Sequence, residues 1–298
     1  MTTRSNSKPL TSYERVTSSL IAGALAGAMA KTAIAPMDRT KIYFQTHQKT
    51  FTFNGALDYL ILSYKKRGFT SLWRGNSASM ARVVPYAAIQ YSSHEQFKHL
   101  LKVETNLQKK AHPHRSFIAG SLAGVVSTSC TYPLDVARAR MAVDSSYKSL
   151  TEVFTQSIQR YGIKNLYRGF IPTVCGVIPY AGCSFFTYET LKRIHFDFYG
   201  DKEINPVFRL IFGAMAGLFG QSASYPLDIV RRRMQTQNGY VELGIVGTIK
   251  KVVNEEGLVH GLYKGLSLNW VKGPIAVGIS FTSFDLFNKF FLSLCTLD

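Results

Sequence analysis

Pro36 to Lys41 reads PMDRTK, and two later stretches match it: PLDVAR from Pro133 to Arg138 and PLDIVR from Pro226 to Arg231. The three prolines stand 97 and 93 residues apart (133 − 36 and 226 − 133). Two further motifs keep this register. GALAG from Gly23, GSLAG from Gly120 and GAMAG from Gly213 each begin 13 residues before their proline. WRG from Trp73, YRG from Tyr167 and YKG from Tyr263 follow it by 37, 34 and 37 residues. Three motifs agreeing in three copies make the chain a tandem triplication. The expected units are residues 15–108, 109–203 and 204–298. A polar tail, 1–14, precedes them; it has no apolar stretch of the secretory type and is expected to be disordered.

Composition leaves two classes open. The chain has 298 residues and a formal charge of +17, with 46% hydrophobic residues and a mean hydropathy near zero. Soluble domains fit these values, and so does a membrane protein with basic loops. The distribution decides. From Val16 to Met37 the only charge is Lys31; Ser116 to Leu134 and Leu210 to Leu227 carry none. A membrane span needs roughly 20 mainly apolar residues. Ser77 to Ser93, Phe170 to Tyr188 and Ser267 to Thr282 are weaker candidates, interrupted notably by Arg82 and Lys272. Six spans result. Nucleic-acid binding, which the net charge suggests, is disfavoured because the bases sit at span ends and loops rather than on one soluble face. Cys130, Cys175, Cys183 and Cys295 form no CxxC pair and read as packing residues. No metal site or cofactor is expected, and no enzymatic activity.

Each unit carries a GxxxG helix that runs into the Pro motif. A loop with a short amphipathic helix follows, such as Ala56 to Lys66. The aromatic-basic-Gly motif then opens a second span. Glycines at i and i+4 let helix backbones approach closely. Two spans per unit bring every copy in and out on the same side. The copies are therefore parallel, and their symmetry axis lies along the membrane normal. The expected fold is an all-α membrane protein: six transmembrane helices as three tandem two-helix repeats, with short matrix helices, closed into a pseudo-threefold barrel.

The Pro-x-Asp-x-x-Lys/Arg motif with its downstream aromatic-basic-Gly resembles the mitochondrial carrier family over nearly the whole chain. Asp and base at i and i+3 share a helix face, which in isolation is a local pair. Proline tilts helix ends, and three tilted ends around one axis favour a ring between helices. The resemblance implies that Asp38 pairs with Arg138, Asp135 with Arg231 and Asp228 with Lys41. This would be a matrix gate, braced by Gln45 and Gln235; the second copy has Ala142 at the brace position. Tyr43 stands where the other copies have Arg140 and Arg233. A cytoplasmic gate is implied by Tyr188, Glu189 and Lys192, by Glu95 and Lys98 behind His94, and by Asp285 behind Phe284. Asn288 replaces the third base, so the outer gate is expected to be the weaker one. Helix N-termini bind phosphate, and the resemblance assigns Gly55, Arg74, Gly75, Arg168, Gly169, Lys264 and Gly265 to cardiolipin.

Symmetric residues run such a machine, and asymmetric ones should read its substrate. Eight residues beyond each aromatic-basic-Gly base lie Arg82, Gly176 and Lys272. Eight residues of helix rise roughly 12 Å, which approaches mid-membrane. These positions match the family's substrate contacts. Lys31 corresponds to Thr128 and Gln221, so its charge is asymmetric too. Three cations imply a polyanion, most simply phosphates. Gly176, Val177 and Tyr180 form a flat apolar slot suited to a purine. Flanking stretches such as RVVPYAAIQYS and NWVKGPIAVGISFT resemble the family's coenzyme A transporters. The implied function is an inner-membrane antiporter with alternating access. It would import coenzyme A or dephospho-coenzyme A against ADP or adenosine 3′,5′-diphosphate, and the unit would be a monomer. The alternative is an ATP-Mg/phosphate or other adenine nucleotide carrier; the calcium-regulated type is disfavoured because no EF-hand loop is present.

Overall fold

The structure, a computed structural model, describes residues 12–103, 113–200, 204–237 and 243–295. Residues 1–11 of the polar tail lie outside the described residues. Among those described, six helices are long: α1 (Ser12–Thr46), α3 (Asn76–Leu100), α4 (Pro113–Val143), α6 (Phe170–Tyr199), α7 (Pro206–Thr236) and α10 (Leu266–Cys295). Between the two long helices of each repeat lie shorter ones: α2 (Phe53–Arg67), α5 (Leu150–Tyr161) and α8 (Gly244–Glu256) with the one-turn α9 (Leu258–Leu262). No strand occurs among the described residues.

Local chemistry sets these elements. Thr52 and Ser149 cap α2 and α5 by accepting from the Gly55 and Glu152 N–H groups. Pro206 occupies the first turn of α7, where a missing N–H costs nothing. Pro36, Pro133 and Pro226 lie inside α1, α4 and α7, which run on through them. A proline leaves the carbonyl four residues back without its helical donor. For Pro36 that carbonyl is Thr32, and the Trp73 indole N–H donates to it at 2.8 Å.

Among the described residues, four stretches are long and apolar enough to cross a membrane: Thr17–Thr46, Arg115–Val143, Ile163–Tyr199 and Leu258–Ser293. The helices α3 and α7 are more polar along their length, yet each packs lengthwise on an apolar neighbour. The extensive interfaces are α1 with α10, α3 with α4, and α6 with α7. Each pair joins consecutive repeats, with the last closing on the first. The two long helices of one repeat touch far less. Large apolar side chains such as Val84, Ile178, Phe185, Phe186 and Phe281 are exposed. A surface of that kind suits lipid.

Two sequence readings need correction. The tight packing seam is displaced by one residue from the glycine motifs. It is formed by Ala22, Ala26 and Ala30 on α1, by Ala119, Ala123 and Ser127 on α4, and by Phe212, Ala216 and Gly220 on α7, all buried. A Cβ at Gly27, Gly124, Gly213 or Gly217 would meet nothing within 4 Å. At Gly220 it would lie 2.7 Å from the Tyr180 carbonyl and closer still to the Ser184 hydroxyl. The Ser184 hydroxyl also donates to the Ala216 carbonyl at 3.0 Å, which holds the two backbones together. The cysteines are likewise not core residues: Cys130 and Cys175 are exposed and Cys183 is half-buried, all as free thiols. The Cys295 side chain lies outside the described residues.

Gly220→Ala should therefore destabilise the protein by about 1–3 kcal/mol, the usual cost of overpacking. Gly217→Ala, three residues away, should leave stability unchanged. Thermal unfolding of the two purified variants in detergent separates the outcomes.

Candidate transport site

The Pro motifs place one aspartate on each of α1, α4 and α7, at the level where these helices meet. Asp38 and Asp135 are buried, and Asp228 is partly so. Buried carboxylates are costly unless paired. Asp38 pairs with Arg138, Asp135 with Arg231 at 2.5 Å, and Asp228 with Lys41 at 2.8 Å. Every pair crosses from one repeat to another, so the three bonds close a ring.

Two of the three carboxylates have a further support. Gln235 donates to Asp135 at 2.8 Å and to the Tyr132 hydroxyl at 3.0 Å. Gln45 donates to Asp228 at 3.1 Å and to the Tyr225 hydroxyl at 3.2 Å. Each tyrosine hydroxyl in turn donates a hydrogen bond to a carbonyl at the start of the adjoining helix, Tyr132 to Arg168 and Tyr225 to Lys264. The corresponding positions at Asp38 hold Ala35 and Ala142, so neither support exists there.

A second ring lies beneath the first, and sequence reasoning did not identify it. Arg140 donates through Nε to the Gln235 carbonyl at 3.0 Å, and Arg233 to the Gln45 carbonyl at 3.1 Å. In the first repeat this position is Tyr43, stacked between His47 and Tyr59 with centroid distances of 4.1 Å to each. Arg39, one turn earlier, takes over and donates to the equivalent Ala142 carbonyl at 3.2 Å. The motif spacing gave no hint of this substitution. Arg232 was also missed. It contacts Asp135 at 3.4 Å and Gln235 Oε1 at 2.9 Å, while Asp228 lies 3.9 Å away.

Two of the three asymmetric cations are bound to the aspartate ring. Lys272 pairs with Asp38 at 2.7 Å, and Arg82 with Asp135 at 3.3 Å. Lys31 is exposed and lies within electrostatic range of Asp38, Arg82, Arg138 and Lys272. Above the ring a cavity of about 310 Å³ is lined by Gly176, Val177 and Tyr180 on α6, by Gln221 on α7, and by Asn269 and Lys272 on α10. Val177 and Tyr180 also border a second cavity, about 420 Å³, together with Gly120 and Gly124. Those glycines thus face open space, which is why a Cβ there meets so little.

The opposite end is different. Glu95 pairs with Lys98 at 2.5 Å and Glu189 with Lys192 at 4.0 Å, both within a single helix. Tyr188 sits edge-on to Phe212, and Asp285 is exposed on α10. Asn288 instead accepts from the Ser19 hydroxyl on α1 at 3.4 Å.

The bases of the aromatic-basic-Gly motifs point inward. Arg74 donates to the Ser145 and Tyr147 carbonyls, Arg168 to the Gln237 carbonyl, and Lys264 to the His47 carbonyl and to Glu256. Glu256 also pairs with Arg233, and its counterparts in the other repeats are Tyr161 and Arg67. Gly169, at φ +81°, would place a Cβ 2.9 Å from the Arg231 carbonyl. Gly75 and Gly265 start α3 and α10 in the same backbone region. The Gly55 N–H is taken by Thr52. The Arg74, Arg168 and Lys264 side chains tie repeat to repeat, and Lys264 also pairs with Glu256.

The family described as mitochondrial carrier protein matches residues 12–105, 109–198 and 202–294. The chain belongs to the mitochondrial carrier family. It is accordingly a transporter, a multi-pass protein of the mitochondrial inner membrane. It is 57% identical over 279 residues to the mitochondrial coenzyme A transporter SLC25A42 of Homo sapiens, covering 92% of this chain and 88% of that protein. The Xenopus tropicalis protein of the same name is 56% identical, with 92% and 85% covered. Solute carrier family 25 member 16 of Mus musculus is 37% identical, with 92% and 88% covered.

Gln235→Ala should cost about 1.5–3 kcal/mol, because it removes a hydrogen bond to a buried carboxylate and leaves Tyr132 with one partner fewer. Thermal unfolding should show this loss. Ala142→Ser, at the position without a brace, should show no comparable change.

Proposed function

We propose that this carrier exchanges coenzyme A or dephospho-coenzyme A for adenine nucleotides across the inner membrane, by alternating access. The observation that carries the mechanism is the double engagement of Lys272 and Arg82. Both face the region of the polyanion site, and both hold a ring aspartate. A phosphate group arriving there competes with Asp38 and Asp135 for these cations. Binding then removes counter-charge from the ring while it satisfies the bases. The buried aspartates lose part of their compensation, and separation of the ring becomes cheaper once water can reach both partners.

The ring's supports are unequal, which suits stepwise opening. Asp38 has no Gln and no Tyr beside it, so Lys272 is a larger share of its partnership. The matrix end is closed by bonds between helices, whereas the outer pairs recorded are within helices. This arrangement fits a state open toward the cytoplasmic side. Gly176 and Val177 would take a purine face against the slot, with Tyr180 a turn further on. The coenzyme A assignment draws on the named relatives at 56–57% identity. The passage lies within one chain, so the monomer is the transporting unit.

Counter-exchange in liposomes tests the proposal. Vesicles containing the purified protein and internal ADP should take up labelled coenzyme A or dephospho-coenzyme A, and empty vesicles should not. Lys272→Ala and Arg82→Ala should each cut the exchange rate at least about tenfold, the equivalent of 1.4 kcal/mol. Uptake of ATP against phosphate without any coenzyme A species would overturn the assignment.

A further inference from the structure

Asn269 stands out among the residues around the cavity. It is 3% exposed, and its Oδ1 is buried without a hydrogen-bond partner. It borders the same cavity as Gly176, Val177 and Lys272. Buried amides are normally satisfied, and an orphan needs an explanation. Most other polar groups nearby are engaged; the Arg231 Nε, a donor, is also buried without a partner, which leaves the Asn269 Oδ1 as the unpaired acceptor lining this cavity. Lys41 and Arg231 hold ring aspartates. The Tyr225 hydroxyl donates to a carbonyl, and the Ser224 hydroxyl donates to the Gln221 carbonyl at 3.2 Å. Gln221 is only half-buried.

The internal repeats supply a control. Five residues beyond each aromatic-basic-Gly base stand Ser79, Thr173 and Asn269. Ser79 donates to the Gly75 carbonyl at 3.4 Å, and Thr173 to the Gly169 carbonyl at 2.7 Å. Both hydroxyls are thus satisfied within their own helix. The scaffold accepts a small self-satisfied residue at this place twice. In the third copy it carries a longer planar amide, on a residue that borders the cavity. Three residues further along α10, and so on the same face, is Lys272.

We propose that Asn269 reads the edge of the substrate's adenine, accepting from the exocyclic amino group and donating to N7. An Asn amide matches that donor–acceptor pair in one plane. The Gly176–Val177 slot would take the ring's face, leaving its edge for Asn269. Hypoxanthine and guanine present two acceptors on the same edge, so one of the two bonds is replaced by opposed lone pairs. This assignment rests on the functional reading above and deepens it: it makes the site selective for adenine, not for purines in general.

The test is competition in the reconstituted full-length carrier. Exchange of labelled ADP is inhibited by unlabelled ADP or by inosine diphosphate, which differ at the group Asn269 would read. Wild type should favour ADP roughly ten- to hundredfold, the discrimination of one good bidentate contact. Asn269→Ser and Asn269→Thr install the residues of the other two repeats. Both should bring the preference to within about threefold by raising the KM for ADP, and both should unfold at or above the wild-type temperature. A purely structural role would lower the unfolding temperature and leave the ADP-to-inosine ratio unchanged; that result overturns the assignment. So does a wild-type ratio near unity, whatever the variants do. Wild-type protein that exchanges no adenine nucleotide at all overturns the functional reading itself, and this assignment with it.

Discussion

Asp38, Asp135 and Asp228 are charges that the interior cannot hold singly. Each repeat supplies an acid and a base on one helix face, but the base is used by a neighbouring repeat. The cost of burying an unpaired carboxylate therefore becomes a force that holds three helices at one level. Much of the remaining architecture follows from that meeting point. Gly169 packs against the Arg231 carbonyl because α6 must begin directly beside the ring. The tyrosines and glutamines fill the space between ring and helix starts. The long, closely packed seams then run between repeats, leaving the two helices of one repeat comparatively free of each other.

The threefold plan is imperfect, and the imperfections carry information. Around Asp38 the supporting tyrosine and glutamine are replaced by Ala35 and Ala142, and Lys272 stands in. In the first repeat Arg39 does from one turn earlier what Arg140 and Arg233 do in the others. The aromatic stack of Tyr43 with His47 and Tyr59 fills the vacated place. In the third repeat Glu256 pairs with both Arg233 and Lys264, one through each carboxylate oxygen. Asymmetries that are locally satisfied belong to the scaffold. The Asn269 Oδ1 is an asymmetry that is not locally satisfied, and it is assigned above to the substrate.

Much of this was legible in the residues. Motif spacing revealed the triplication, the parallel repeats and the residues that face one another in the ring. Charge placement separated Arg82 and Lys272 from their apolar surroundings. The GxxxG reading failed by one residue, because glycine patterns mark small residues without saying which helix face they occupy. The resemblance assigns Arg74, Arg168 and Lys264 to cardiolipin, and the structure adds that their side chains donate to carbonyls of a neighbouring repeat. No linear pattern distinguishes those two uses of a base.

The sequence by itself determined the number of repeats, their relative orientation and the family. These depend only on spacing and on the count of spans, which are properties of a line. Tertiary structure alone decided that Lys272 holds Asp38 across 234 residues of chain. It also decided that the alanine seam packs in place of the glycines, and that the Asn269 Oδ1 is left without a partner. A helix turns about 100° per residue, so a side chain's neighbours are set by the rotation and depth of each helix. Those are fixed only when all six have packed together.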